Sequence, residues 1–184
     1  MAKIKYLRGF TLIELLVVVA IIGILMAILL MNFDEARKNS RDKARKSDLK
    51  ALQLAIETYK AQNGMYPSQA STNCLVTDGA TWTGPGPQPG WGTTCDDYIG
   101  GLVSDYIAAL PTDPNQEQVN GLGYLYKTNS DRSAYKIIVH QSVETQYITA
   151  QSDEFSRYPE ICGISSGNLR ATEYSVYSPG AECW

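Results

Sequence analysis

An apolar run from Phe10 to Phe33 is interrupted by a single charged side chain, the carboxylate of Glu14. At about 1.5 Å per helical residue such a run reaches on the order of 36 Å, enough to cross a bilayer's hydrocarbon core. A charge at the centre of a membrane helix costs roughly 2.5–3.5 kcal/mol on insertion scales. Glu14 lies near the N-terminal end of the run, where it either finds a partner within its own helix or meets a positive charge from another molecule.

The residues in front, Met1 to Gly9, are basic, with Lys3, Lys5 and Arg8 and no acid. A basic start and an apolar core also describe a secretory signal. Such a signal closes after about 7–15 apolar residues at a small-residue cleavage site. This run is longer, and no Ala-x-Ala site follows Phe33. The stretch Gly9-Phe10-Thr11-Leu12-Ile13-Glu14-Leu15-Leu16-Val17-Val18-Val19-Ala20-Ile21-Ile22-Gly23 resembles the class III leader and N-terminal helix of type IV pilins and of type II secretion pseudopilins. The resemblance implies cleavage between Gly9 and Phe10 by a membrane peptidase, and N-methylation of the new terminus at Phe10. It further implies growth of a homo-oligomeric filament, in which Glu14 pairs with the terminal amine of a neighbouring subunit. An inner-membrane platform and an assembly ATPase are its implied partners. Many type IV pilins carry a proline where this chain has Met31, so a straighter helix is expected here.

Charge is unevenly spread. Asp34 to Lys50 holds seven bases against four acids, whereas Ala51 to Trp184 holds six bases against fourteen acids. The acidic remainder excludes a general nucleic-acid binder, and no specific nucleic acid is expected. The basic stretch reads as a solvated helix flank, with Asp42 and Lys46 at the i,i+4 spacing of an ion pair. Lys3, Lys5 and Arg8 favour an N-terminus inside the cell, while the bases from Arg37 to Lys50 favour the reverse. Oxidised cysteines and the resemblance both place the acidic part outside, on a single-pass protein of the cytoplasmic membrane that later joins a surface filament.

Four cysteines follow the apolar run, Cys74, Cys95, Cys162 and Cys183. Three pairings are possible. The spacing favours Cys74 with Cys95 and Cys162 with Cys183, two loops of similar length. Closing about 20 residues stabilises by roughly 3 kcal/mol in the chain-entropy treatment. Zinc is the rival, but there is no Cys-x-x-Cys pair and His140 is the sole histidine, so neither metal nor cofactor is expected. His140 alone supplies no general-base constellation, and Asp96-Asp97 and Asp153-Glu154 are sequence neighbours that cannot face each other across a site. An enzyme is not expected.

The chain therefore divides into a leader at 1–9, a membrane and assembly helix at 10–33, its amphipathic continuation at 34–62 and a globular head at 63–184. Leu49, Leu52, Ile56 and Tyr59 form one apolar stripe at helical spacing, and Asn63-Gly64 with Pro67 beyond supplies the stop. The segment from Pro67 to Gly101 reads as a disulfide-closed loop. Its Trp82 and Trp91 either pack on the head or form a ligand face. A short helix is predicted over Asp97–Leu110. Strands are predicted over Gly123–Lys127, Ala134–His140 and Gln146–Ala150, with a last strand pair near Arg170–Ser178.

The fold class is α+β, a long helix on a small antiparallel sheet. Asn63-Gly64-Met65-Tyr66-Pro67, Leu110-Pro111-Thr112-Asp113-Pro114 and Gly123-Tyr124-Leu125-Tyr126 are similar to landmarks of the major type II pseudopilins. The calcium loop of those pseudopilins has no counterpart, and the segment closed by Cys162 and Cys183 looks more like the C-terminal region of type IV pilins. A type IV pilus or pilus-like filament subunit is the leading expectation. A secretion pseudopilin, or an adhesive minor pilin using Trp82 and Trp91, are the alternatives.

Overall fold

No proline stands between Thr11 and Asn63, and the computed structural model carries one helix, α1, over Leu12–Asn63. It describes residues 10–69, 74–85, 92–115, 122–163 and 169–184, without the side chains of 28–32, 92 and 93. The leader and Trp91 lie outside the described residues. The chain forms two compact units, residues 1–38 and residues 39–184, and α1 contributes to both.

In the first unit the described apolar side chains stand exposed, Phe10 just before α1 at 84 % and Leu12 at its start at 86 %. Among the described residues no helix is long and apolar enough to cross a membrane. The span expected over 10–33 includes residues 28–32, whose side chains fall outside those described.

In the second unit α1 is amphipathic, as the stripe predicted. Leu49, Leu52 and Ile56 are fully buried and Tyr59 packs partly against the same cluster. The helix stops where expected, after Asn63. Gly64 takes a φ of 78° and donates its N–H to the Lys60 carbonyl, the left-handed C-terminal turn that glycine adopts without a Cβ clash.

Among the described residues five strands form one sheet: β1 Trp82–Gly84, β2 Gly92–Thr94, β3 Gly123–Thr128, β4 Tyr135–His140 and β5 Tyr174–Tyr177. Their order is β2-β1-β3-β4-β5. Every neighbouring pair is antiparallel except the edge pair β1 and β2. The α+β arrangement is thus the predicted one. Period-two alternation in β3 and β4 sends Tyr124, Tyr126, Tyr135, Ile137 and Val139 into the cluster against α1. Several tyrosines fit this core because their hydroxyls reach acceptors at its margin. Tyr124 donates to Asp48 at 2.6 Å, Tyr126 to the Pro67 carbonyl at 2.7 Å and Tyr98 to the Pro111 carbonyl at 2.9 Å. The apolar residue out of phase in β4, Ile138, joins Leu125 and Trp82 in a second cluster behind the sheet, with Trp184 packed on it.

Three predicted elements differ. Residues 97–110 do not form a helix, because Gly101 and Ser104 take left-handed φ values of 76° and 77°. Tyr98, Ile99 and Leu102 are instead buried from an irregular backbone tied by a bridge between Ser68 and Gly100. The strand predicted over Gln146–Ala150 is absent, since the N–H groups at its start bind a side chain of α1 rather than a ladder. Near Arg170–Ser178 there is one strand, β5, instead of a pair. Finally, the segment read as loop contains β1 and β2, three residues each and too short to show a period.

Gln69 fixes that segment to the sheet. Its fully buried amide donates to the Thr81 carbonyl at 2.5 Å, and its oxygen accepts from Gly79 at 3.0 Å and Thr128 at 3.2 Å.

Candidate assembly site

The first turn of α1 supplies Glu14 with a partner of its own. The Thr11 backbone N–H donates to Glu14 Oε2 at 2.8 Å, and the Thr11 hydroxyl donates to the same oxygen at 2.9 Å. In return the Glu14 N–H reaches the Thr11 hydroxyl at 3.3 Å. This is a capping box, in which an N-terminal Thr and a glutamate three residues on satisfy each other's orphan donors. Its signature, Thr-x-x-Glu at the head of an apolar run, is present in Thr11 to Glu14. Both bonds fall on Oε2, and among the described residues Oε1 has no hydrogen-bond partner. Phe10, Ile13, Val17 and Val18 line an open groove beside the carboxylate. Phe10 and Glu14 of one chain thus line the same groove, whereas the partner expected for Glu14 is the terminal amine of a neighbouring subunit; Gly9 falls outside the described residues.

In the second unit the basic stretch is a solvated flank only in part: Lys43 and Lys50 are exposed, but the face carrying Arg41 and Arg45 turns inward. Arg45 is fully buried and donates through Nε and Nη2 to both oxygens of Asp113, at 2.7 and 2.9 Å. Its Nη1 reaches Asp42 at 2.8 Å and Glu144 at 2.9 Å. Arg41 also binds Glu144, through Nε at 2.7 Å. Asp42, expected to pair with Lys46, instead accepts the N–H groups of Glu144 at 3.1 Å, Thr145 at 2.7 Å and Gln146 at 2.9 Å. Burial alone would raise the Asp42 carboxyl, but these amides and the Thr145 hydroxyl outweigh it and hold it below the usual range. Glu144 is held down chiefly by its bond to Arg41. Asp113, a member of the Leu110-Pro111-Thr112-Asp113-Pro114 landmark, therefore serves to anchor the head on the helix.

A second buried polar group lies behind the sheet. His140 Nδ1 stands 2.6 Å from Glu173 Oε1, and Arg157 binds the other oxygen of Glu173. Lys136, fully buried on β4, donates to the carbonyls of Arg157 at 2.5 Å and Glu182 at 2.6 Å. His140 is thus a packed residue with an acidic partner. Burial, and then the Arg157 charge, push the Lys136 amine down to about 7 against the pull of Glu173 and Glu182. An unfolded lysine titrates near 10.4, so at pH values between these the unfolded chain binds the extra proton, and stability rises with pH. Below about 7 both states are protonated and this contribution is flat. Urea unfolding of the full chain in detergent is expected to show a higher midpoint at pH 9 than at pH 7. Lys136→Met should remove that rise; a rise unchanged in the variant would assign it elsewhere.

Trp82 is buried at 8 % exposure under the second apolar cluster, so its ring packs on the head. It offers no open face for a ligand. The disulfides join Cys74 to Cys95 and Cys162 to Cys183, each with 5.4 Å between Cα atoms.

Residues 5–30 match the prokaryotic N-terminal methylation motif. The chain is similar to the type II secretion system core protein G of Vibrio cholerae, 33 % identical over 115 residues, covering 62 % of this chain and 69 % of the relative. It is 35 % identical over 109 residues to the protein of the same name from Pectobacterium carotovorum, covering 58 % of this chain and 61 % of the relative. Against the type IV major pilin protein PilA of Myxococcus xanthus it is 45 % identical over 64 residues, covering 35 % of this chain and 29 % of the relative. The chain thus spans less than two thirds of two of these curated relatives. No solved structure matches it.

Proposed function

The chain belongs to the pilin-like family of type II secretion system core protein G, and on that premise we propose that it is a prepilin whose mature form polymerises into a pilus or pilus-like filament. Cleavage between Gly9 and Phe10 removes Lys3, Lys5 and Arg8 and leaves a positive amine on Phe10. The leader is 1–9, the helix at 10–33 holds the subunit in the cytoplasmic membrane before assembly, and 34–62 continues it into a head at 63–184 outside the cell. A peptidase that also methylates Phe10, an inner-membrane platform and an assembly ATPase act on it.

The observation that carries this reading is Glu14 itself, one carboxylate in an exposed apolar helix surface with an oxygen left over after the Thr11 cap. A neighbouring subunit displaced along the filament axis brings its Phe10 amine to that oxygen. Apolar packing gives adhesion without direction, and the ion pair gives register. Mass spectrometry of polymer sheared from cells is expected to find a chain beginning at Phe10 with a methylated amine. Polymer that retains the first nine residues would refute the proposal.

A secretion role is the second reading, favoured by the longer alignments with the core protein G relatives than with the Myxococcus pilin. Deleting the protein then blocks export of secreted proteins while surface pili persist. Loss of pili with export intact rejects it.

A further inference from the structure

The C-terminal part of the chain crosses behind the sheet in two pieces. One leaves the β5 edge, where Ser156 bridges to Tyr174, and runs from Arg157 to the short 3₁₀ turn Glu160–Cys162; the other runs from Ser178 to Trp184. The cystine Cys162–Cys183 joins these two pieces covalently. The side-chain nitrogen of Lys136 joins the same two pieces without a covalent bond, through the carbonyl of Arg157 in the first and of Glu182 in the second. Arg157 precedes Cys162 by five positions, and Glu182 is the neighbour of Cys183. The rings of Tyr158 and Tyr177 flank the nitrogen, at 5.1 and 5.2 Å to their centroids.

We propose that Lys136 positions Cys162 and Cys183 for each other before they are oxidised, by seating both pieces on β4, and that it thereby selects this pairing among the three available to four cysteines. The seat does not depend on the state of the amine. A neutral amine keeps two N–H donors, one for each carbonyl, and the ammonium form keeps these and presents its third to the tyrosine faces. Oxidation then only has to remove two protons and two electrons from thiols already held near bonding distance. A disulfide oxidant such as oxidised glutathione takes the electrons and leaves as two thiols. Trp184, at the end of the second piece, lies on the Trp82, Leu125 and Ile138 cluster, so seating this piece also covers the second apolar core.

Amide hydrogen exchange on the full chain in detergent tests this with the cystine removed. In Cys162→Ser/Cys183→Ser, protection at Ala181 and Cys162-position amides, whose acceptors are Ser178 and Pro159, is expected to persist. Adding Lys136→Met should cut it about thirtyfold, the factor expected from two net hydrogen bonds, with protection of β3 and β4 unchanged. In parallel, the reduced wild-type chain refolded with oxidised glutathione should return mainly Cys162–Cys183 by peptide mapping, and Lys136→Met a mixture of pairings. Loss of protection at these two amides in the serine variant alone would overturn the proposal. So would unchanged protection on adding Lys136→Met, or loss spread over the whole sheet, which would make Lys136 a general core support. Native pairing at wild-type yield in Lys136→Met would overturn it as well.

Discussion

Arg45→Met is expected to destabilise the 39–184 unit by about 3–5 kcal/mol, the loss typical of removing one member of a buried ionic group. The guanidinium is the hub for three acids, Asp42, Asp113 and Glu144, and it is fully buried with two of them. Without it Asp113 loses both of its charge-assisted bonds to Nε and Nη2 and stays in a site that is only 4 % exposed. Asp42 is better protected, because the N–H groups of residues 144–146 still face it. Arg45→Lys should fall between wild type and Arg45→Met, since an ammonium keeps the charge but cannot reproduce the two-pronged contact to Asp113. Adding Asp113→Asn to Arg45→Met should recover part of the loss by removing the stranded charge. Urea unfolding in detergent measures all three. A shift below about 1 kcal/mol for Arg45→Met would show that the network adds nothing to the hold between helix and head.

Glu14→Ala is expected to reduce sheared filament by about a hundredfold or more, with the processed subunit still recovered from the membrane. The magnitude follows from leaving one neighbour's terminal amine unpaired in an apolar bundle, roughly 3–5 kcal/mol per contact. The capping box makes a sharper variant available. Glu14→Gln preserves the reach back to the Thr11 N–H, because glutamine fills that position of a capping box as well as glutamate does. It deletes only the charge. Both variants should therefore fail in a filament-shearing assay. If Glu14→Gln assembles normally while Glu14→Ala does not, the side chain acts by capping its own helix and the intersubunit ion pair is wrong.

Much of this was legible because it depends on short-range physics. A stripe of Leu49, Leu52, Ile56 and Tyr59 can only be one face of a helix, and Asn63-Gly64 only its end. The alternation of Tyr135, Ile137 and Val139 marked β4; its one apolar exception, Ile138, had no reading in the pattern and belongs to a second apolar layer. Two cysteine pairs with the same separation of 21 residues favoured the pairing that the structure contains. The misses have a common cause, which is that side chains far away in sequence took over backbone or charge that local pattern assigns otherwise. Asp42 captured the amides of residues 144–146 and so removed a predicted strand. Arg45 looked like one more surface base among seven until Asp113 and Glu144 surrounded it. For Asp97–Leu110 the helical spacing was present, but Gly100-Gly101 removed the backbone preference and burial of Tyr98 and Ile99 decided the path. At the assembly site the signal of Thr11 was in the sequence and simply went unread.

The helix and the sheet are fastened from the first residues of the second unit. Asn39 accepts from Gln146 at 2.5 Å, Asp42 and Arg45 follow within two turns, and at the far end Arg132 donates to the Tyr66 carbonyl at 2.6 Å. Tension applied along α1 from its N-terminal side would therefore enter the 39–184 unit at residues 39–45 and be shared among several polar contacts before it strains the tyrosine core. A unit built this way resists peeling, because the buried charges of Asp42 and Arg45 stand within two turns of the point where a pull enters.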